Sequence, residues 1–245
     1  MLPEGIQIAI EYQIPQTSKR VDFIIAGQDD DSQDHVIVIE LKQWQSARRT
    51  SRKDIVKAYT GGRERDVAHP SYQAYSYAKT IESFNEAVTQ KNIRLHPCAY
   101  LHKYDIQKIG ELKHPDYKDV IKEAPLYIKS EEDGLRDFIH RYITKPATHD
   151  ILYDLDHGRI RPSKALQDAV GSMLHGNQEF IMIDEQKLVY ETVLKIVGKA
   201  LNDKRRYTVI IEGGPGTGKS VVAIQLLATL IQKGINAQCF VNQRL

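Results

Sequence analysis

Gly213-Gly214-Pro215-Gly216-Thr217-Gly218-Lys219-Ser220 fits the pattern G-x-x-x-x-G-K-[ST]. Glycines at these spacings let backbone N–H groups turn inward around phosphate oxygens without Cβ clashes. A lysine next to the last glycine reaches β- and γ-phosphates, and the hydroxyl after it holds Mg²⁺. The octet therefore predicts binding of a nucleoside triphosphate. A second group of chemistry-bearing residues lies near the other end of the chain. Ile39-Glu40-Leu41-Lys42 closes an apolar run, so Glu40 and Lys42 share one face of a strand. If the preceding turn centres near Asp31, antiparallel pairing sets Asp22 directly across from Glu40, with Cβ atoms ~5 Å apart. Two carboxylates that close repel unless a cation lies between them, so Asp22 and Glu40 are expected to bind a divalent metal, Mg²⁺ or Mn²⁺. Lys42 beside it could orient or deprotonate an attacking water, or stabilise charge at phosphorus. The plainer alternative is a surface Asp22–Lys42 ion pair of little energetic worth.

These residues need a scaffold. Ile6 to Ile14, Val21 to Ala26 and Val36 to Leu41 read as three strands joined by short polar turns, which favours an antiparallel meander. A basic stretch from Arg48 to Lys53 follows, either neutralising nucleic-acid phosphates or forming a solvated loop. His69-Pro70-Ser71 opens a helix running to about Ala87. Ile93 to His102 and Leu126 to Lys129 suit strands, and Leu135 to Ile143 a helix. From Thr144 to Gln178, prolines and glycines break the regularity, which marks a junction. Beyond it, Asp184 to Asn202 reads as an amphipathic helix. Tyr207 to Glu212 reads as a buried strand, Lys219 to Gln232 as a helix and Ile235 to Val241 as a second strand. The fold class is α/β, with residues 1–145, a junction at 146–178, and 179–245 as the start of a second domain.

Asp22 with Glu40-Leu41-Lys42 resembles the PD-(D/E)xK nuclease superfamily, and Gln73-Ala74-Tyr75-Ser76-Tyr77 is similar to the Q-x-x-x-Y element of its RecB-related branch. Spacing i, i+4 puts Gln73 and Tyr77 on one helical face. The resemblance implies a restriction-endonuclease-like mixed sheet with flanking helices, metal on Asp22 and Glu40, and Gln73 and Tyr77 positioning the strand. Valine rather than proline precedes Asp22. The family's additional acid, usually on a helix before the first strand, would here be supplied by Glu11.

Phe180-Ile181-Met182-Ile183-Asp184-Glu185-Gln186, leading into the glycine-rich octet, resembles a Schlafen-type superfamily 1 DNA/RNA helicase domain. Gln186 is similar in type and placement to the glutamine that contacts adenine in such helicases, which makes ATP the expected nucleotide. Together the resemblances imply a metal-dependent nuclease acting on DNA or RNA, coupled to an ATP-driven translocase. The alternative is an inactive nuclease fold that binds nucleic acid and targets the motor. A kinase or GTPase is disfavoured, because no guanine-reading element follows the octet.

Among 245 residues, 41% are hydrophobic, enough for a packed core and against wholesale disorder. Cys98 and Cys239 form no CxxC, which argues against a disulfide or zinc framework and for a reducing cytoplasm. No run approaches the ~20 apolar residues of a membrane span. The net charge of +2 neither selects nor excludes a nucleic-acid partner. A complete phosphate-loop ATPase needs further strands, so the chain is expected to carry only the opening of a motor. Its helix from Val221 to Ile231 would be partly uncovered, open to oligomer formation, and the chain would lack ATPase turnover.

Overall fold

The computed structural model describes residues 3–15, 17–160 and 181–240. Part of the expected junction, 161–178, together with Phe180 and Val241, lies outside them. The chain forms two compact units, Met1–Pro162 and Ser163–Leu245.

In the first unit, β1 (Gln7–Gln13), β2 (Arg20–Gln28) and β3 (Asp34–Lys42) form the antiparallel meander. β-Branched residues fill β2 and β3, and Ile24, Ile25, Val36, Ile37 and Val38 are buried. The chain then makes a separate antiparallel sheet of β4 (Ala47–Arg49), β5 (Ile55–Thr60) and β6 (Arg63–Ala68). No strand is expected over 55–68 from the apolar pattern alone. The available signal was the pair Gly61-Gly62, both at positive φ (57° and 78°), a two-residue hairpin turn that glycine adopts without strain. α1 (Pro70–Phe84) and the short α2 (Glu86–Gln90) lead to β7 (Arg94–Leu101), which lies parallel to β3. After α3 (Ile109–Leu112) and α4 (Lys118–Glu123) comes β8 (Leu126–Ile128), completing a mixed sheet of order β1-β2-β3-β7-β8. α5 (Glu132–Tyr142) and α6 (Ile151–His157) follow.

The two sheet faces carry different partners. Ile25, Ile37, Ile39 and Cys98 pack with Phe138 of α5 and with Ile143. On the other face Ala99 and Leu101 share a cluster with Tyr72 of α1 and with Val56 and Ala58 of the small sheet. α1 starts with Pro70 in its first turn and His69 as cap, whose Nδ1 accepts the Ser71 N–H at 3.2 Å. His69 is fully buried and donates from Nε2 to the Leu112 carbonyl at 3.0 Å.

α6 ends at Gly158, which is pressed against the joint between α1 and α2. A Cβ there would lie 2.2 Å from Asn85 Oδ1 and 2.8 Å from the Asp154 carbonyl. Asn85 caps α2 by accepting the Ala87 N–H and donates to the Leu155 carbonyl at 2.7 Å. Gly158→Ala is therefore expected to destabilise the chain by ~1–3 kcal/mol, the usual range for overpacking. A lowered urea midpoint at constant slope would register it, and an unchanged midpoint would show that Asn85 yields freely.

In the second unit α7 (Glu185–Asp203) packs on α8 (Lys219–Gln232), joined by a 2.7 Å Tyr190–Thr229 hydroxyl contact. Val222, Ile224 and Ala228 are buried, whereas Ile231 is 44% exposed. The two strands expected here are not formed among the described residues. Residues 207–212 and 235–240 are without regular structure and mostly exposed, Ile210 at 80% and Phe240 at 88%. A strand is stable only when neighbours take its N–H and C=O groups. Described residues of this unit offer these two segments no pairing strand. Among the described residues no helix is long and apolar enough to cross a membrane.

Candidate functional site

The register of the meander decides which acids meet. Phe23 pairs with Ile39, which sets Asp22 against Glu40 at the open end of the β2–β3 ladder. Ile10↔Phe23 and Tyr12↔Val21 on the other side set Glu11 against Asp22. One row across three strands thus carries three carboxyl residues, and Ala99 of β7 continues it beside Glu40.

The three acids are held differently. Asp22 accepts the Leu41 N–H through Oδ2 at 2.7 Å, so a carboxylate takes the donor that would otherwise continue the ladder. Glu40 is 2% exposed and its Oε1 receives the Lys42 ammonium. Lys42 therefore pairs with Glu40 rather than with Asp22. Its Nζ also lies 5.8 Å from the Trp44 ring centroid. Glu11 sits at φ 54° where the β1–β2 pairing is interrupted, and its carboxylate lies 3.7 Å from the Arg20 guanidinium at the exposed strand edge.

Gln73 Nε2 donates to the Tyr77 hydroxyl at 2.9 Å, as residues one turn apart on one face. α1 lies against β3 and β7. Cys98 belongs to the α5 face and its neighbour Ala99 to the α1 face, and Ala99 is the register partner of Glu40. Alternation therefore puts Asp22, Glu40 and Lys42 on the face that α1 covers. Two carboxylates and one ammonium leave this patch with a net charge of −1. Hard oxygen donors suit Mg²⁺, which is commonly held by one or two carboxylates plus substrate phosphates. Among the described residues there is no group of three or more His, Cys, Asp or Glu side chains that could hold a metal ion.

Three of the four cations in the basic stretch are paired with acids. Arg48 and Arg49 lie in β4. Arg48 binds both oxygens of Glu64 at 2.5 and 2.6 Å, Arg49 lies 3.1 Å from Asp116, and Arg52 pairs with Asp66. Acids from β6 and from the chain before α4 reach these cations, which linear spacing does not reveal.

In the second unit Gly216 (φ 73°) and Gly218 (φ 81°) bend the glycine-rich loop into the N-terminus of α8. Lys219 Nζ folds back onto the carbonyls of Gly213 and Gly214 at 2.7 and 2.6 Å, and Thr217 Oγ1 donates to the Gly214 carbonyl at 2.9 Å. Pro215 and Ser220 complete the exposed loop. Gln186 Nε2 donates to the Thr217 carbonyl at 3.1 Å, and a Cβ on Gly218 would meet that same nitrogen at 2.3 Å. Residues far apart in sequence, Gln186 and the loop, are thus in contact. A helix N-terminus with a lysine in the loop can bind anionic phosphate.

Residues 206–245 match a family model described as Schlafen group 3, DNA/RNA helicase domain. Neither the comparison with curated proteins nor that with solved structures gives a match. The matched segment takes in the glycine-rich loop and α8, so this part of the chain is similar to a DNA/RNA helicase domain.

Proposed function

We propose that the first unit is a metal-dependent nuclease that cuts phosphodiester bonds of DNA or RNA, and that the second unit belongs to an ATP-driven helicase or translocase. One observation carries the nuclease reading: Asp22 and Glu40 in register on adjacent strands, with Lys42 on Glu40, beneath a helix bearing the Gln73–Tyr77 pair. Asp22 and Glu40 would hold the ion, which when bound supplies charge to polarise a phosphoryl oxygen and acidify water. Lys42 would hold an attacking water and stabilise charge developing at phosphorus, and Gln73 with Tyr77 would orient the strand. Mg²⁺- or Mn²⁺-dependent degradation of labelled single-stranded or duplex DNA or RNA tests the reading; no cleavage of any of these substrates would refute it.

A second reading rests on the Lys42 ammonium itself, which occupies Oε1 of Glu40. On that reading the unit grips nucleic acid without cutting it. Binding would then persist without metal-supported cleavage and fall steeply with salt.

The motor reading draws on the matched segment and on the loop geometry. Lys219→Ala is expected to weaken MgATP binding by roughly 10- to 100-fold, as for loss of a hydrogen bond to a charged group. Titration with a fluorescent ATP analogue measures it. Equal affinity in the variant would remove Lys219 from the site.

A further inference from the structure

β8 covers only Ala99 to Leu101 of β7, so among the described residues the outer edge of β7 at Leu95 to Pro97 has no strand beside it. α1, α4 and α5 frame a cavity of about 330 Å³ at that edge. Its walls include Tyr75, Tyr127, Tyr142 and His96, with Lys122 and Arg141 at its margin. The volume is at the small end of small-molecule sites. His96 and Tyr142 are stacked, with ring centroids 3.6 Å apart and planes 12° apart.

The polar groups of the cavity have defined roles. Asp29 Oδ2 accepts from His35 Nε2 at 3.0 Å, so in the neutral His35 ring Nδ1 carries no hydrogen. That nitrogen lies 2.8 Å from His96 Nε2 and, with His35 neutral, accepts from it. The His96 tautomer follows, with Nδ1 left as a hydrogen-bond acceptor. Burial pushes the His96 pKa down to about 4, so the ring stays neutral near pH 7. Lys79 is taken by Glu82 at 2.6 Å. Lys122 and Arg141 have no carboxylate within ion-pair distance among the described residues, and Glu123 adds a second acceptor to the lining.

We propose that this cavity binds a nucleotide with an amino-bearing base, the base against the aromatic walls with its N–H groups on His96 and Glu123, and the phosphate on Lys122 and Arg141. Aromatic faces stack on any base, and the two acceptors favour adenine or cytosine over uracil. The ligand is either a free mononucleotide or the end of a strand. The proposal does not depend on cleavage at Asp22 and Glu40.

Equilibrium dialysis tests it with the full chain carrying Lys219→Ala, which weakens binding at the glycine-rich loop. AMP and CMP should bind, UMP several-fold more weakly, and ribose 5-phosphate not measurably. Arg141→Ala and Lys122→Ala, both at exposed positions, should each weaken AMP roughly tenfold, and His96→Phe should abolish the preference over UMP. An oligoadenylate that displaces AMP identifies a strand end as the source, and one that does not identifies the free nucleotide. No AMP binding at millimolar concentration, ribose 5-phosphate binding equal to AMP, or indifference to both cation variants would overturn the proposal.

Discussion

Lys42→Ala is expected to lower Mg²⁺-supported cleavage by roughly 10²- to 10⁴-fold, the range for losing a positioned proton-transfer group. Glu40→Ala should leave no measurable cleavage, because it removes one of only two carboxylates proposed to hold the ion. Both variants also disturb a buried pair, since the Glu40 and Lys42 side chains are 3% and 18% exposed. Removing the ammonium leaves the Glu40 carboxylate without that compensation, which is destabilising in its own right. Lost activity could then reflect lost fold. The double variant Glu40→Gln, Lys42→Met separates the two, since it removes both charges and keeps the side-chain volumes. It should melt near the wild-type temperature and still not cut. Cleavage by this variant, or undiminished cutting by Lys42→Ala, would remove these residues from the chemistry.

Lowering the pH from about 6.5 to 4 is expected to destabilise the first unit by about 3 kcal/mol through His69 alone. Burial pushes the His69 pKa from 6.5 down to about 4, against the opposing effect of its hydrogen bond to the Leu112 carbonyl. The folded state therefore refuses a proton that the unfolded chain accepts. The stabilisation is complete above pH 6.5, declines as the pH falls, and is exhausted near pH 4. His96 acts in the same direction and the same window. Asp29 acts lower. Its hydrogen bond with His35, ahead of one from the Gln33 backbone, holds its carboxyl below the usual range, so its contribution is lost only at more acid pH. Trp44 is the only tryptophan in the chain, so its fluorescence in urea reports on this unit. His69→Asn can still cap α1 but cannot titrate between pH 6.5 and 4, so its midpoint should fall less steeply with acid. Equal slopes in variant and wild type would rule His69 out as the cause.

Local patterns carried much of the first unit. The β-branched runs in β2 and β3, the proline opening α1 and the short turn near Asp31 were readable, because each depends on neighbours within a few residues. The same turn brought Asp22 opposite Glu40, since a hairpin's register follows from its loop. The limits of α8 were equally plain. Tyr207 to Glu212 and Ile235 to Phe240 form no strand despite their pattern, because apolar β-branched character makes a segment fit for a sheet without supplying the sheet. The residues that pair with a strand lie outside its own pattern.

By itself, the sequence determined the groups available for chemistry: a glycine-rich loop with a lysine, an acid pair with a lysine, and a Gln73–Tyr77 helical face. Only the tertiary structure decided their company. It placed Lys42 on Glu40, turned Glu11 to Arg20, and neutralised Arg48, Arg49 and Arg52 with acids from other segments. It also laid β7 parallel to β3, which joined His96 to His35 and framed the cavity at the β7 edge. Hairpin register and helical facing are set by short-range geometry. A parallel pairing across a long connection, and the side chains it brings together, is settled by how the whole sheet buries its faces.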